Sequence, residues 1–169
     1  MKSIRPFVII IALSINTLIA QSTQTPKNKK IYDPGSDAKA EIEKVVKKAK
    51  AEDKHVLLQI GGNWCGWCIA LDKKLKSNDT LRIAVEKNYL VYHVNFSKEN
   101  KNLEVLASLG YPQRFGFPVL VILDGEGKRL HTQNSVYLEE GKEHSTKKVL
   151  GFLKNWSTDA IDAKQNQNW

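Results

Sequence analysis

The 169-residue sequence has little cysteine: Cys65 and Cys68 are its only two. No cysteine lies near residue 20, which excludes lipid attachment through a cysteine at the end of an N-terminal leader. A structural zinc site needs four ligands, so with no third cysteine two histidines would have to join the pair. No two of the four histidines have the spacing of a zinc finger, and we expect no metal. The histidines are His55, His93, His131 and His144.

Long hydrophobic runs are also missing. The apolar residues 7–13 are followed by a weaker run that polar residues interrupt at positions 14, 16 and 17. This falls short of the roughly 20 apolar residues of a membrane-spanning helix. Basic residues at positions 2 and 5 and the Ala20-Gln21 step complete the layout of a secretory signal. We expect residues 1–20 to be a signal peptide and the protein to be periplasmic or secreted; a retained membrane anchor is the alternative.

Basic residues outnumber acidic ones, 26 to 18, and give a formal net charge of +8. No aromatic platform or groove-reading motif accompanies them, so a solvated basic surface is expected and nucleic-acid binding is not. The chain has no internal repeats, and its length suits one domain. Composition divides it into a polar, flexible linker at 21–36, a domain at 37–157 and a polar C-terminal tail at 158–169.

Hydrophobic periodicity predicts alternating helices and strands within the domain. Helices are predicted at 37–52, 103–109 and 146–156, and strands at 55–60, 89–96, 119–123 and 128–132. A further helix is predicted to begin at the cysteine pair and to pause near residues 77–79, where a second helical segment with Leu81, Ala84 and Val85 begins. A break is expected near residues 77–79, where capping residues interrupt the apolar pattern. Residues 124–127 predict a hairpin turn. Residues 133–145 have no clear period and are expected to form an inserted loop, whose length suggests a role beyond connection.

The two cysteines are separated by Gly66-Trp67 and come directly after the predicted buried strand at 55–60. This places Cys65 at the start of a helix, where unpaired N–H groups and the helix dipole favour a thiolate and the sulfur can be exposed. A bridge over two intervening residues stabilises a fold little, because loop-closure stabilisation grows with loop length. The pair therefore indicates reversible electron exchange, with an inert bridge as the alternative.

The order of elements, the Trp-Cys-Gly-Trp-Cys motif at 64–68 and the Gly-Phe-Pro motif at 116–118 together resemble the thioredoxin superfamily. Within it, the chain looks most like secreted bacterial proteins described as disulfide-isomerase-like. The resemblance implies an α/β fold with a central mixed β-sheet flanked by helices. It implies that the Cys65 thiolate attacks a substrate disulfide and that Cys68 resolves the mixed disulfide that forms. It also implies a cis bond before Pro118 that presents the Phe117 backbone to an extended substrate; a trans proline opening a strand is the alternative.

Three features bear on how such a site would work. Gln59 stands where the superfamily often has a buried acid, and an amide cannot take a proton, so either water or another group would accept it. His93 is our candidate proton relay, with Gln59 as a second candidate relay residue; a strand histidine with its own partner is the alternative. Trp64 and Trp67 are candidates to bind substrate by apolar contact, with plain packing as the alternative. The Gly66-Trp67 dipeptide lacks a histidine that would hold the thiolate, which favours reduction or isomerisation over oxidation.

The expected function is that of an exported thiol-disulfide oxidoreductase, a reductase or isomerase of protein or peptide disulfides. It would use the Cys65–Cys68 pair with no further cofactor and would be kept reduced by a membrane-linked electron donor. One alternative is a peptide- or client-binding module of the same fold without redox turnover. Another is reduction of peroxides or of a small thiol compound, because fold alone does not choose among these activities.

Overall fold

The computed structural model describes residues 30–162 and residue 166. The expected signal peptide, residues 21–29 of the expected linker and residues 163–165 and 167–169 of the C-terminal tail lie outside the described residues. Within the described part, no helix has the length and apolar character needed to cross a membrane.

The elements alternate as the sequence pattern indicates. The helices are α1 (Ala38–Ala51), α2 (Gly66–Ser77), α3 (Asp79–Asn88), α4 (Leu103–Ser108), α5 (Thr146–Asn155) and α6 (Thr158–Ile161), with 3₁₀ turns at Pro112–Phe115 and Ser135–Leu138. The strands are β1 (His55–Gly61), β2 (Tyr89–Asn95), β3 (Val119–Leu123), β4 (Arg129–Asn134), β5 (Glu139–Glu140) and β6 (Glu143–His144).

A four-stranded mixed sheet in the order β2-β1-β3-β4 forms the centre of the fold. The β1–β2 pair is parallel, whereas β1–β3 and β3–β4 are antiparallel. All seven residues of β1 are buried, as expected for a strand covered on both faces. Its Leu58 and Ile60 pack with α1 and α4, and Leu57 packs on the opposite face with α2, α3 and α5. Because side chains alternate along a strand, Gln59 shares the face of Leu57 and lies beneath α2.

Helix caps set the boundaries around this sheet. The Asp37 carboxylate accepts the Ala40 N–H (3.1 Å) and starts α1. The Asn78 side chain accepts the Leu81 N–H (3.1 Å) and starts α3 directly after α2. A side-chain acceptor at an N-cap replaces a missing intrahelical partner, which explains the break predicted at residues 77–79.

Residues 30–36 differ from the flexible linker that composition predicts. Tyr32 is fully buried, and the Asn100 amide donates to the Pro34 carbonyl (3.0 Å). The Ser36 hydroxyl contacts the Tyr92 hydroxyl at 3.1 Å. An apolar ring with a satisfied hydroxyl is more stable in the core than in water, so this segment packs against the domain.

The expected loop at 133–145 is ordered into short elements. Strand β4 continues to Asn134, whose side chain accepts the Val136 N–H (3.0 Å) and starts a 3₁₀ turn. Leu138 at the end of that turn is buried in the core formed with α5. The two-residue strands β5 and β6 then pair as a hairpin. Hydrophobic periodicity cannot reveal elements this short.

The expected tail also begins with structure: α6 starts at Thr158, where the Ser157 hydroxyl accepts the Ala160 N–H (3.2 Å).

Candidate redox site

Cys65 and Cys68 form a disulfide at the first turn of α2, with a Cα–Cα distance of 5.2 Å. Cys65 is the N-cap of the helix, and its Sγ accepts the backbone N–H of Cys68 (3.2 Å). An N–H directed at this sulfur, together with the helix dipole, favours negative charge on it. The geometry therefore distinguishes the two sulfurs as the sequence predicts.

The disulfide is less accessible than the sequence indicates. Cys68 is fully buried, and Cys65 retains 6% of its surface. Ile31 and Phe117 pack against the cluster that the two cysteines form with Tyr32. In the oxidised protein these side chains cover most of the pair, and only a narrow edge of Cys65 meets solvent.

Gln59 and Tyr32 lie beside Cys68 in the core. The Gln59 amide donates to the Tyr32 hydroxyl (2.7 Å) and to the Cys68 carbonyl (2.9 Å). A methyl group built on Gly61 would approach Cys68 Sγ to 2.5 Å and the Tyr32 hydroxyl to 3.0 Å. The Cys68 sulfur and the Tyr32 hydroxyl therefore occupy the space that a side chain at position 61 would fill. Burial raises the pKa of Tyr32 well above its usual range, although the hydrogen bond from Gln59 opposes the shift.

Asn63, between β1 and the disulfide, holds Tyr32 in place. Its side-chain oxygen accepts the Tyr32 N–H (3.2 Å), and its amide donates to the Tyr32 carbonyl (2.7 Å). Neither residue is predicted from the sequence as part of the site. The sequence does carry a signal for Tyr32: the apolar Ile31-Tyr32 pair lies inside an otherwise polar segment, and a buried Gln59 requires a hydrogen-bond partner.

The two candidate relay residues meet in this layer. Gln59 and His93 are partners in the β1–β2 register, and the His93 ring meets the Tyr32 ring edge-on at 5.3 Å. His93 Nε2 lies 3.0 Å from Asp72 Oδ1, but the geometry of the contact is not that of a hydrogen bond. Asp72 is one helical turn after Cys68 and is a residue that sequence reasoning misses.

Asp72 is held as a carboxylate despite being nearly buried. Burial raises the pKa of Asp72, but His93 and Lys76 outweigh this effect and the pKa lies below its ordinary value. Lys76 Nζ is 2.7 Å from the carboxylate. The layer beneath the disulfide thus contains a negative charge close to a histidine, where the sequence indicates only an uncharged amide.

Trp64 and Phe117, two predicted substrate-binding residues, lie together on one side of the disulfide. Trp64 is 60% exposed and donates its indole N–H to the Phe96 carbonyl (2.7 Å). Its ring meets Phe117 edge-on at 5.5 Å, and Phe117 packs on Phe96 at 4.8 Å. The bond before Pro118 is cis, as the resemblance implies, and Pro118 itself is buried. Trp64 is therefore packed at one edge and open on the rest of its surface.

Trp67 lies apart from that aromatic group. It is 38% exposed, and its ring meets the buried His144 edge-on at 5.1 Å. Lys74 of α2 forms a 2.8 Å ion pair with Glu143. Burial lowers the pKa of His144, and Lys74 adds to that shift. The 133–145 segment, whose position the sequence leaves open, thus borders the CxxC helix.

Two of the histidines considered as zinc ligands lie elsewhere. His55 Nδ1 contacts the Trp156 carbonyl (2.8 Å), and His131 stacks on the Trp156 ring at 4.2 Å. Within residues 30–162 and 166, no three His, Cys, Asp or Glu side chains are grouped so as to hold a metal.

Comparison with known proteins agrees with this architecture. Among solved structures, the chain is similar to a disulphide isomerase from Xylella fastidiosa Temecula1, with 29% identity, a TM-score of 0.65 and coverage of 73% of this chain and 94% of that one. Weaker similarities are to a DsbH oxidoreductase (26% identity, TM-score 0.44, 59% and 71% coverage) and a thioredoxin-fold protein from Helicobacter pylori (24%, 0.48, 68% and 73%).

No curated protein matches the chain. A family model described as a thioredoxin-like domain matches residues 42–140, which is more than half of the sequence. The fold, the disulfide at the start of α2 and this match agree, and the chain belongs to the thioredoxin-like domain family.

Proposed function

We propose that this protein is a thiol-disulfide oxidoreductase that reduces or isomerises disulfides of proteins or peptides. The observation that carries the proposal is the asymmetric cysteine pair: Cys65 Sγ caps α2 and accepts the Cys68 N–H at 3.2 Å, while Cys68 is fully buried. The similarity to a solved disulphide isomerase, with 29% identity and a TM-score of 0.65, supports the same activity.

In the reduced protein, the Cys65 thiolate attacks one sulfur of a substrate disulfide. A Cys65–substrate bond forms, the substrate S–S bond breaks, and the leaving thiolate takes up a proton. Cys68 then loses its proton and attacks Cys65 Sγ, which re-forms the internal disulfide and releases the second substrate thiol. Two electrons and two protons pass to the substrate, and a dithiol donor must restore the enzyme. In isomerisation, the substrate's own thiol displaces Cys65 instead.

The proton on Cys68 needs an acceptor, and the structure narrows the choice. Gln59 is an amide and cannot accept it. Burial raises the pKa of Tyr32, so its phenol stays protonated. We assign this role to His93, which lies 3.0 Å from the Asp72 carboxylate in the same layer. A His93→Gln variant should accumulate mixed disulfide and regain its rate at higher pH, when Cys68 ionises without help.

Insulin reduction with dithiothreitol as the electron donor tests the activity. The chain should accelerate precipitation of the insulin B chain, and Cys65→Ser should abolish the acceleration. Cys68→Ser should instead trap a covalent adduct that mass spectrometry detects at Cys65. Equal behaviour of the native chain and Cys65→Ser would refute the proposal.

The near-burial of Cys65, at 6% exposure, favours a second candidate, a peptide-binding module whose disulfide does not turn over. Alkylation separates the two functions. After reduction, iodoacetamide should label Cys65 ahead of Cys68 if the pair is catalytic, whereas a permanently covered pair should resist both reduction and labelling.

We also propose that the protein acts after export, in the periplasm or outside the cell, where a membrane-linked donor supplies electrons. The support is the leader-like composition of residues 1–20 and the absence of a histidine between the two cysteines. The mass of the chain isolated from the cell envelope or medium tests export, and its redox potential tests the direction. A potential near about −120 mV would mark an oxidant and contradict a reducing role.

A further inference from the structure

A cleft of about 620 Å³ runs beside α2, between this helix and the β5–β6 hairpin. It begins at Gly66 and Trp67, inside the CxxC motif, and ends at Ser77 and Asn78. One end of this cleft therefore lies next to the disulfide.

Contacts between residues that line the cleft join the hairpin to the helix. The Lys74–Glu143 ion pair (2.8 Å) joins α2 to β6. The edge-on contact of Trp67 with His144 (5.1 Å) positions the indole, which remains 38% exposed beside the disulfide. His144 is 99% buried, and its Nε2 has no hydrogen-bond partner in the described chain. The side of the cleft nearest the cysteines is thus formed by the Trp67 ring, which packs on a buried histidine whose Nε2 makes no hydrogen bond within the described residues.

The charge of the cleft is positive. Three lysines line it, and the only acid among its lining residues is Glu143, which Lys74 neutralises. Lys73 and Lys142 have no ion-pair partner among residues 30–162 and 166. Two unpaired cations, one on α2 and one in the hairpin, favour an anionic occupant.

We propose that this cleft binds an acidic segment of the protein substrate next to its reacting cysteine. The inference rests on the proposed oxidoreductase function and adds a substrate preference to it. Lys73 is seven residues after Gly66 on α2, about 10 Å along the helix axis. An extended peptide covers that distance in about three residues. The preferred substrate therefore has an Asp or Glu about three residues from the cysteine that Cys65 attacks.

Turnover of two matched peptide disulfides tests the preference. One peptide has three Glu residues following its cysteine, and the other has Gln at the same positions. At low salt, the native chain should give a kcat/KM about fivefold to tenfold higher for the Glu peptide, the effect of two partly exposed charge contacts. High salt should reduce this preference because it screens such contacts.

Lys73→Gln/Lys142→Gln should remove the preference and leave turnover of the Gln peptide unchanged. Lys47→Gln/Lys128→Gln is the matched control: both lysines are exposed and outside the cleft, and the variant should retain the preference. Calorimetric binding of a cysteine-free Glu peptide should be lost in the first variant alone. Equal kcat/KM for both peptides with the native chain would overturn the inference and leave the redox function intact. Failure to reduce either peptide would refute the redox function. The calorimetric result would still decide whether the cleft binds an acidic peptide.

Discussion

Removing the Tyr32 hydroxyl should weaken the floor of the redox site measurably. In Tyr32→Phe, the Gln59 amide loses the acceptor it contacts at 2.7 Å and keeps only the Cys68 carbonyl at 2.9 Å. Both side chains are fully buried, so water cannot replace the lost partner. A buried donor left without an acceptor costs about 1–3 kcal/mol. The free energy of unfolding should therefore fall by about 2 kcal/mol, a substantial part of a typical total of about 5–15 kcal/mol.

A double-mutant cycle separates this hydrogen bond from general damage to the core. Gln59→Leu alone leaves the Tyr32 hydroxyl unsatisfied, whereas the double variant removes both polar groups. The double variant should be more stable than the sum of the single losses predicts, by about 1–2 kcal/mol. Tyr137→Phe is the matched control, because Tyr137 is 73% exposed and should change stability by less than about 0.5 kcal/mol.

Urea unfolding of the oxidised proteins, followed by circular dichroism, measures these differences. If Tyr32→Phe matches Tyr137→Phe, or if the single losses simply add, the hydroxyl does not satisfy Gln59 and the reasoning fails.

Three further perturbations have defined outcomes. Gly61→Ala places a methyl group 2.5 Å from Cys68 Sγ, so unfolding midpoints should show a loss of about 1–3 kcal/mol from overpacking. Burial lowers the pKa of His144 in the folded state, so the unfolded chain binds the proton first and stability should fall from about pH 7 to about pH 5; His144→Gln should flatten that part of the curve. The pKa of Asp72 also lies below its ordinary value, because His93 and Lys76 together outweigh burial, so stability should be lost below about pH 4 and less steeply in Asp72→Asn.

The sequence predicts the sheet and its long helices well. Where the pattern defines both ends of an element, apolar periodicity and capping residues place them within two residues of the observed bounds. The mixed sheet and the cis bond before Pro118 follow from the family resemblance rather than from periodicity. Local signals therefore suffice where an element is long and one of its faces is buried.

The polar layer under the disulfide shows where such reasoning stops. Tyr32 and Gln59 are 27 residues apart in sequence, and Asp72 meets His93 from a different element. No local pattern indicates these contacts, because each depends on how separate segments pack. The low accessibility of Cys65 has the same origin, since Ile31 and Phe117, which pack against it, come from segments far apart in sequence.

The insertion at 133–145 illustrates a different limit. Its two-residue strands are too short for a periodic signal, yet His144 and Glu143 both contact α2. Its relation to the CxxC motif is visible only after the chain is folded.

The burial of Tyr32 moves the start of the folded unit upstream of α1. The family match begins at residue 42 and so leaves this ring out. A recombinant truncation beginning at residue 37 would retain every helix and strand that the structure describes, but would leave a hole beside Gln59 and expose the inner sulfur to water. Shortened versions of this chain should therefore be designed to begin before Ile31, whatever boundary a domain alignment suggests.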